Sequence, residues 1–307
     1  MKPSTDAALQ GTRMQPNLFS NGGSNAGPSA DSPLGHVAQA AGWIRQHSEL
    51  VPTVAIILGS GLGGLANRID AAITIPFADI PGFATSTASG HRGQLLIGHC
   101  EQVPVVAMAG RFHRYEGWSR DQVALPVQTM AALGAKRLVV SNAAGGVNPK
   151  LKVGDIVVIR DHLDFMRGHG RGDASESRRN PSPLRHANVY DRAMAALALD
   201  AAAENDFDAY PGTYLATLGP NYETRAEYRM MRRIGADVVG MSTGPEVIAA
   251  IAGGLRTLGL SMVSNVANPD SAVAANHDEV LAAGRAAEGK MEAIVRAVLR
   301  DTLRHAP

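Results

Sequence analysis

The chain has 307 residues, a formal net charge of +1, 45% hydrophobic residues and a single cysteine, Cys100. That length suits one large α/β domain or two modest ones, with a core that needs no covalent staples. One cysteine excludes an internal disulfide and a cysteine-based zinc cluster; near-neutrality gives no ground for a nucleic-acid or membrane partner. No apolar run approaches a membrane span and no signal-peptide apolar region opens the chain, so a reducing, cytoplasmic setting is the expectation.

Residues 1–33 are rich in Ser, Asn, Gly and Pro and carry only Lys2, Asp6, Arg13 and Asp31 as charges. Such a segment buries too little apolar surface to offset the entropy of ordering, so a disordered tail is predicted over 1–33 and one domain over 34–307. Order is expected from Ser32, an N-cap, with Val37, Ala40, Ala41 and Ile44 at helical spacing behind it.

The run Thr53-Val54-Ala55-Ile56-Ile57 predicts a buried strand that feeds Leu58-Gly59-Ser60-Gly61-Leu62-Gly63-Gly64. Glycines there bring the backbone close to a ligand, and successive free N–H groups make a concavity for an anion. Gly59, Gly61 and Gly64 also match the dinucleotide fingerprint, with Asp79 about where its ribose-binding acid belongs. Only a short helix, Leu65–Ile69, separates this turn from the next apolar run, Ala72–Ile75. A dinucleotide crossover needs a fuller helix in a unit of about 30 residues. A smaller anion is the better expectation.

Two strands follow, Gln94–Ile97 and Val103–Met108, joined by a turn at Gly98–Glu101, and then the polar stretch Gly110–Gly117. A helix is predicted over Ser119–Leu133, with Val123, Val127 and Met130 on one face. Arg137–Val140 reads as a buried strand ending in Ser141–Gly146, and Asp155–Ile159 as another. Residues 166–188, with Arg167, Arg171, Arg178, Arg179 and Arg185, read as a long loop. Without interleaved aromatics it is a solvated or subunit-contacting loop rather than a nucleic-acid surface. Beyond it come a helix at Asp191–Glu204, a strand at Gly212–Leu218, a helix at Glu223–Ile234 with basic residues on its exposed side, and a strand at Asp237–Met241. A helix at Pro245–Leu258, a strand at Leu260–Val266 and a final helix from Asn276 to Leu303 complete the order. Alternating strands and helices argue for a single α/β domain.

Polar residues gather at the ends of these strands, where ligands bind in α/β folds. Ser60 follows one, Arg111 and His113 another, Asn142 a third, Tyr222 and Glu223 a fourth, Ser242 a fifth and Asn265 a sixth. Singly each has a structural explanation: Ser242 as a helix cap, Asn265 bonding a turn, His113 as a satisfied core histidine. Six such positions at six strand ends mark a ligand site.

Several stretches then resemble one family, the trimeric purine nucleoside phosphorylases. They are Gly59–Gly63, Gly90-His91, Gly110–Gly117, Asn142–Pro149, Gly219–Thr224, Gly240–Thr243 with Pro245-Glu246, and Asn276–Leu281, in order over nearly all the ordered chain. The resemblance implies a mixed central sheet flanked by helices, a homotrimer, and phosphate-dependent cleavage of the bond between purine and ribose. Ser60, His91, Arg111, His113, the Ala143 N–H and Ser242 would meet phosphate, with Glu116 orienting His113. Tyr115, Met241 and His277 would contact ribose, His277 at the 5′-hydroxyl. Tyr222 would stack on the base, Glu223 would accept its N1–H, and Asn265 would bond its N7/O6 edge and so favour 6-oxopurines. His113, Glu223 and Asn265 are thus the catalytic candidates; no metal and no cofactor are implied, inorganic phosphate being a co-substrate.

Three features depart from the family pattern. The loop 166–188 lacks the usual run that lends an aromatic to the neighbouring subunit, Phe165 being a weak candidate. Val266–Pro269 is short, and residue 244 is glycine. All three flank the base or sugar pocket, so xanthosine and 5′-modified nucleosides such as methylthioadenosine or methylthioinosine stand as alternative substrates. Remote alternatives are an NAD(P)-binding oxidoreductase and a non-catalytic nucleoside-binding protein.

Overall fold

Strands with apolar residues in every position bury both faces, and the first strand of the sheet does so. In β1 (Val54–Leu58) all five residues are buried. Ala55 and Ile57 join one apolar cluster, while Val54, Ile56 and Leu58 join another on the opposite face. This is the pattern of a strand covered by helices on both sides. The structure, a computed structural model, describes residues 32–59, 63–85, 92–166, 188–267 and 277–304, with only the backbone described at 71, 72, 277 and 278.

The remaining strands are β2 (Asp70–Pro76), β3 (Gln94–Cys100), β4 (Val103–Ala109), β5 (Arg137–Gly146), β6 (Ile156–Asp164), β7 (Ala209–Ala216), β8 (Val238–Gly240) and β9 (Arg256–Val266). The helices are α1 (Pro33–His47), α2 (Arg120–Leu133), α3 (Arg192–Glu204), α4 (Arg225–Arg233), α5 (Gly244–Ala252) and α6 (His277–Arg304). Sheet order is β2-β3-β4-β1-β5-β8-β7-β6-β9, with a further pairing of β5 to β9. That pairing closes β5, β8, β7, β6 and β9 into a ring, while β2, β3, β4 and β1 extend from it as an open wing. The sheet is mixed, as expected: β1 runs parallel to β4 and β5, whereas β3 is antiparallel to both of its neighbours. Helices α1 and α2 pack on one face, and α3 and α6 on the other.

Ser32 caps α1, its hydroxyl accepting from Gly35 N–H at 3.0 Å, as the sequence predicts. After β1 comes a single short 3-10 helix, Gly63–Arg68, and then β2, which pairs antiparallel with β3. No crossover helix follows the glycine turn, so the dinucleotide reading has no structural basis here.

Several predicted boundaries move, each for a tertiary reason. The turn expected at Gly98–Glu101 lies at Glu101-Gln102, both at positive φ (51° and 64°), because Gly98 is paired in the strand with Val105. Strand β5 runs through Ser141–Gly146 instead of stopping at Val140, since β9 continues beside it to the pair Gly146–Val266. Asn142 and Ala143 therefore sit inside a strand. The helix expected over Pro245–Leu258 ends at Ala252, capped by Gly253, with Gly254 at φ 74°; Arg256–Leu258 begin β9 instead. The strand expected at Gly212–Leu218 begins at Ala209, where β6 offers a parallel partner.

Candidate active site

The parallel strands β4, β1 and β5 end side by side, and Arg111 leaves β4 there. It is 2% exposed, donates from Nη1 to Ser242 Oγ at 2.8 Å, and its Nε lies 3.2 Å from Glu246 Oε1. A guanidinium in that place needs room at the end of β1. A Cβ on residue 59 would stand 2.3 Å from Ser141 O and 3.3 Å from Arg111 Nη1, so only glycine fits. The Ser141 hydroxyl ties the two strand ends together, accepting from Gly59 N–H and donating to Ile57 O, both at 3.1 Å. Burial pushes the Glu246 carboxyl up while Arg111 pulls it back.

His113 comes two residues later. Glu116 receives both its backbone N–H, at 2.8 Å, and its Nδ1, at 2.9 Å. A carboxylate on Nδ1 fixes the ring and leaves Nε2 for another partner. The imidazole stacks on Tyr115, centroids 4.7 Å apart, so the ring is held from its edge and its face.

Ser242 and Thr243 lie between β8 and α5. Thr243 has φ 67° and ψ −47°, and Gly244 N–H donates to Ser242 O at 2.7 Å: a γ-turn of the rare, strained kind at a β-branched residue. Tyr214, fully buried in β7, steadies it, its hydroxyl donating to Ser242 O at 3.1 Å and accepting from Ser242 N–H at 3.2 Å. Burial pushes that phenol up to about 12. Asn142 Nδ2 donates to Thr243 Oγ1 at 2.9 Å, and Asn142 Oδ1 is buried with no hydrogen-bond partner among the described residues.

The opposite wall has another chemistry. Glu223 precedes α4, and its Oε1 accepts from the Thr217 hydroxyl at 3.0 Å. Asn265 lies one residue from the end of β9, and Ser264 donates to its Oδ1 at 2.9 Å, so Nδ2 is the end of the amide that can donate. Met241 packs so tightly on residue 219 that a Cβ there would sit 2.4 Å from its Sδ; Gly219, at φ 71°, has none. Tyr222 is 45% exposed.

These groups enclose one cavity of about 340 Å³. Of the residues the sequence singles out, Arg111, His113, Tyr115, Asn142, Ala143, Tyr222, Glu223, Met241, Ser242 and Asn265 line it. Three stand apart: Ser60 and His91 lie outside the described residues, and His277 opens α6 with its side chain undescribed. The expectations for the 1–33 tail and the 166–188 loop also fall almost wholly outside them. Phe165, half exposed after β6, does not line this cavity. Sequence reasoning misses Tyr228, Val280 and Ser264 in the lining, and Tyr214 and Glu246 behind it. Among the described residues no three His, Cys, Asp or Glu side chains cluster as metal ligands, and no helix is long and apolar enough to cross a membrane.

The profile described as the phosphorylase superfamily matches residues 53–300. Purine nucleoside phosphorylase 1 of Geobacillus stearothermophilus is 42% identical over 268 residues, covering 86% of this chain and 97% of the relative. The chain belongs to the purine nucleoside phosphorylase family of that superfamily. A solved Schistosoma purine nucleoside phosphorylase in complex with hypoxanthine superposes with TM-score 0.76 at 38% identity, covering 88% of this chain and 97% of that one. The Schistosoma enzyme in complex with guanosine gives TM-score 0.73, also at 38% identity, over 89% and 97%. A family member's fold thus spans the described chain, with the cavity at the ends of its central strands.

Proposed function

We propose that this chain is a purine nucleoside phosphorylase that cleaves 6-oxopurine ribonucleosides and 2′-deoxyribonucleosides, inosine and guanosine above all. An oxygen of hydrogen phosphate bonds to the anomeric carbon, the glycosidic bond breaks with its electron pair going to the purine, and the purine takes up at its imidazole edge the one proton that the phosphate loses. The products are free base and (deoxy)ribose 1-phosphate. The observation that carries this reading is one cavity with two unlike walls: an arginine, a carboxylate-held histidine and a serine on one side, a carboxylate and an amide on the other.

Arg111, His113 and Ser242 hold phosphate with the backbone of Ala143, and the family resemblance gives the same role to Ser60 and His91. Arginine gives a charge-assisted grip, and a buried setting strengthens it. Tyr115, Met241 and His277 frame the ribose as it develops oxocarbenium character above the anion. Glu223 accepts the N1–H of the base, Tyr222 stacks on its ring, and Asn265 Nδ2 donates to N7 and O6 as charge builds there. Because the Ser264 hydroxyl occupies Oδ1, the amide turns its donor toward the base and so favours a 6-oxo over a 6-amino purine. Phosphate is the co-substrate, no metal or cofactor takes part, and the working form is a cytoplasmic homotrimer in purine salvage.

The test is incubation with inosine, guanosine, adenosine, xanthosine and methylthioadenosine, with and without phosphate. Base release from inosine and guanosine that requires phosphate is expected, with adenosine and methylthioadenosine at least about tenfold poorer. Phosphate-independent release, or none, would overturn the reading.

A further inference from the structure

Tyr228 lines the cavity beside Glu223, and the way it arrives there is set by the start of α4. Thr224 is the N-cap, its hydroxyl accepting from Glu227 N–H while the Glu227 carboxylate receives Thr224 N–H. Glu223 therefore stands just before the cap and Tyr228 at the fourth helical position. Those two positions meet across a helix start, where apolar pairs usually staple the chain. Here the pair is a carboxylate and a phenol, and the phenol hydrogen-bonds the Glu223 side chain. The ring edge packs with Val147, Leu215, Met231 and Val239, and burial together with the neighbouring Glu223 charge raises the phenol, which keeps its proton.

A phenol has one proton and two lone pairs. With the proton committed to the Glu223 carboxylate and one lone pair taken by the Glu223 backbone N–H, what remains to face the cavity is a single acceptor lone pair. Glu223 itself already takes the Thr217 hydroxyl on Oε1, so its remaining acceptor capacity is limited. On a purine whose N1–H points at Glu223, the next ring substituent is that on C2. We infer that Tyr228 is a specificity-determining residue for the purine 2-position, its phenol oxygen accepting from a 2-amino group and opposing a 2-oxo group. This rests on the functional reading above and deepens it: guanosine is favoured over inosine, which offers only C–H there, and over xanthosine, which offers a second acceptor.

The experiment compares guanosine and inosine in wild type and in Tyr228→Phe, which keeps the ring and removes the oxygen. The guanosine-to-inosine ratio of kcat/KM is expected to fall about tenfold in the variant, over and above any loss that both nucleosides share through Glu223. A purely structural staple would weaken both nucleosides together, since both share N1–H, and a parallel loss or an unchanged ratio overturns the inference. Calorimetry on the wild type reads the same contact without a variant. Guanine is expected to bind about tenfold more tightly than hypoxanthine, and xanthine more weakly than either; equal guanine and hypoxanthine affinities overturn the inference. Wild-type protein that releases no base from either nucleoside overturns the functional reading instead, while base binding still decides the part played by Tyr228.

Discussion

The single proton of the Ser264 hydroxyl is shared between Ala144 O, at 3.2 Å, and Asn265 Oδ1, at 2.9 Å. That small arrangement engages the amide oxygen, and in the proposed site it is what gives Asn265 a donor to present to the purine. Asn265→Asp replaces the amide donor by an acceptor. The ratio of inosine to adenosine kcat/KM is then expected to fall at least about tenfold, because a 6-oxo group would face a carboxylate and a 6-amino group would gain one. A ratio that stays put removes Asn265 from base selection. Residues such as Asn265, Glu223 and Arg111 are legible in the sequence because each follows or ends a strand within a distinctive short motif. Ser264 is not, since a serine one place before a motif residue carries no local mark. Tyr228 is hidden for a different reason: on a helix where half of the other side chains are arginine, only the tertiary placement of the first turn shows that one face reaches the cavity.

At the scale of elements, the most constrained piece is the three-residue strand β8 and the turn that leaves it. Its strain at Thr243 persists because neighbours fix it from two sides, Tyr214 on Ser242 and Asn142 on Thr243. Tyr214→Phe removes the acceptor of the buried Ser242 N–H and one donor to Ser242 O, which Gly244 N–H still satisfies. An orphaned buried N–H costs about 1–3 kcal/mol, so stability to urea is expected to drop by that amount. The phosphate KM should rise at least about fivefold as Ser242 loosens, with the inosine KM far less affected. Equal rises in both would point to a general loss of packing and count against a specific hold on Ser242. None of this is visible in the chain itself. Tyr214 reads only as an aromatic in a strand, and the neighbours that extend β5 and shorten α5 come from β9, more than a hundred residues after the first of them.

On the scale of the whole molecule, the cavity lies where two unlike parts of the sheet meet. Arg111 and His113 follow β4 in the open wing, whereas Glu223 and Ser242 follow β7 and β8 of the closed ring and Asn265 lies near the end of its β9, with β5 joining wing to ring. The alternation of strands and helices made an α/β domain readable from sequence, but ring closure depends on β9 returning to β5, a pairing no local pattern encodes. Ligands seated at this junction bridge wing and ring, and any ligand that binds only the folded state adds RT ln(1 + [L]/Kd) to stability. Phosphate at a hundred times its Kd is therefore expected to add about 2.7 kcal/mol, raising the melting temperature by several degrees for a chain of this size. Arg111→Ala should abolish that rise, because its guanidinium is the one buried cation among the described residues lining the cavity. It should also lower kcat/KM for phosphate by about 100-fold or more, and it keeps hypoxanthine stabilisation, which draws on Glu223 and Asn265 across the junction. A phosphate shift that survives in Arg111→Ala would place the anion elsewhere in the cavity.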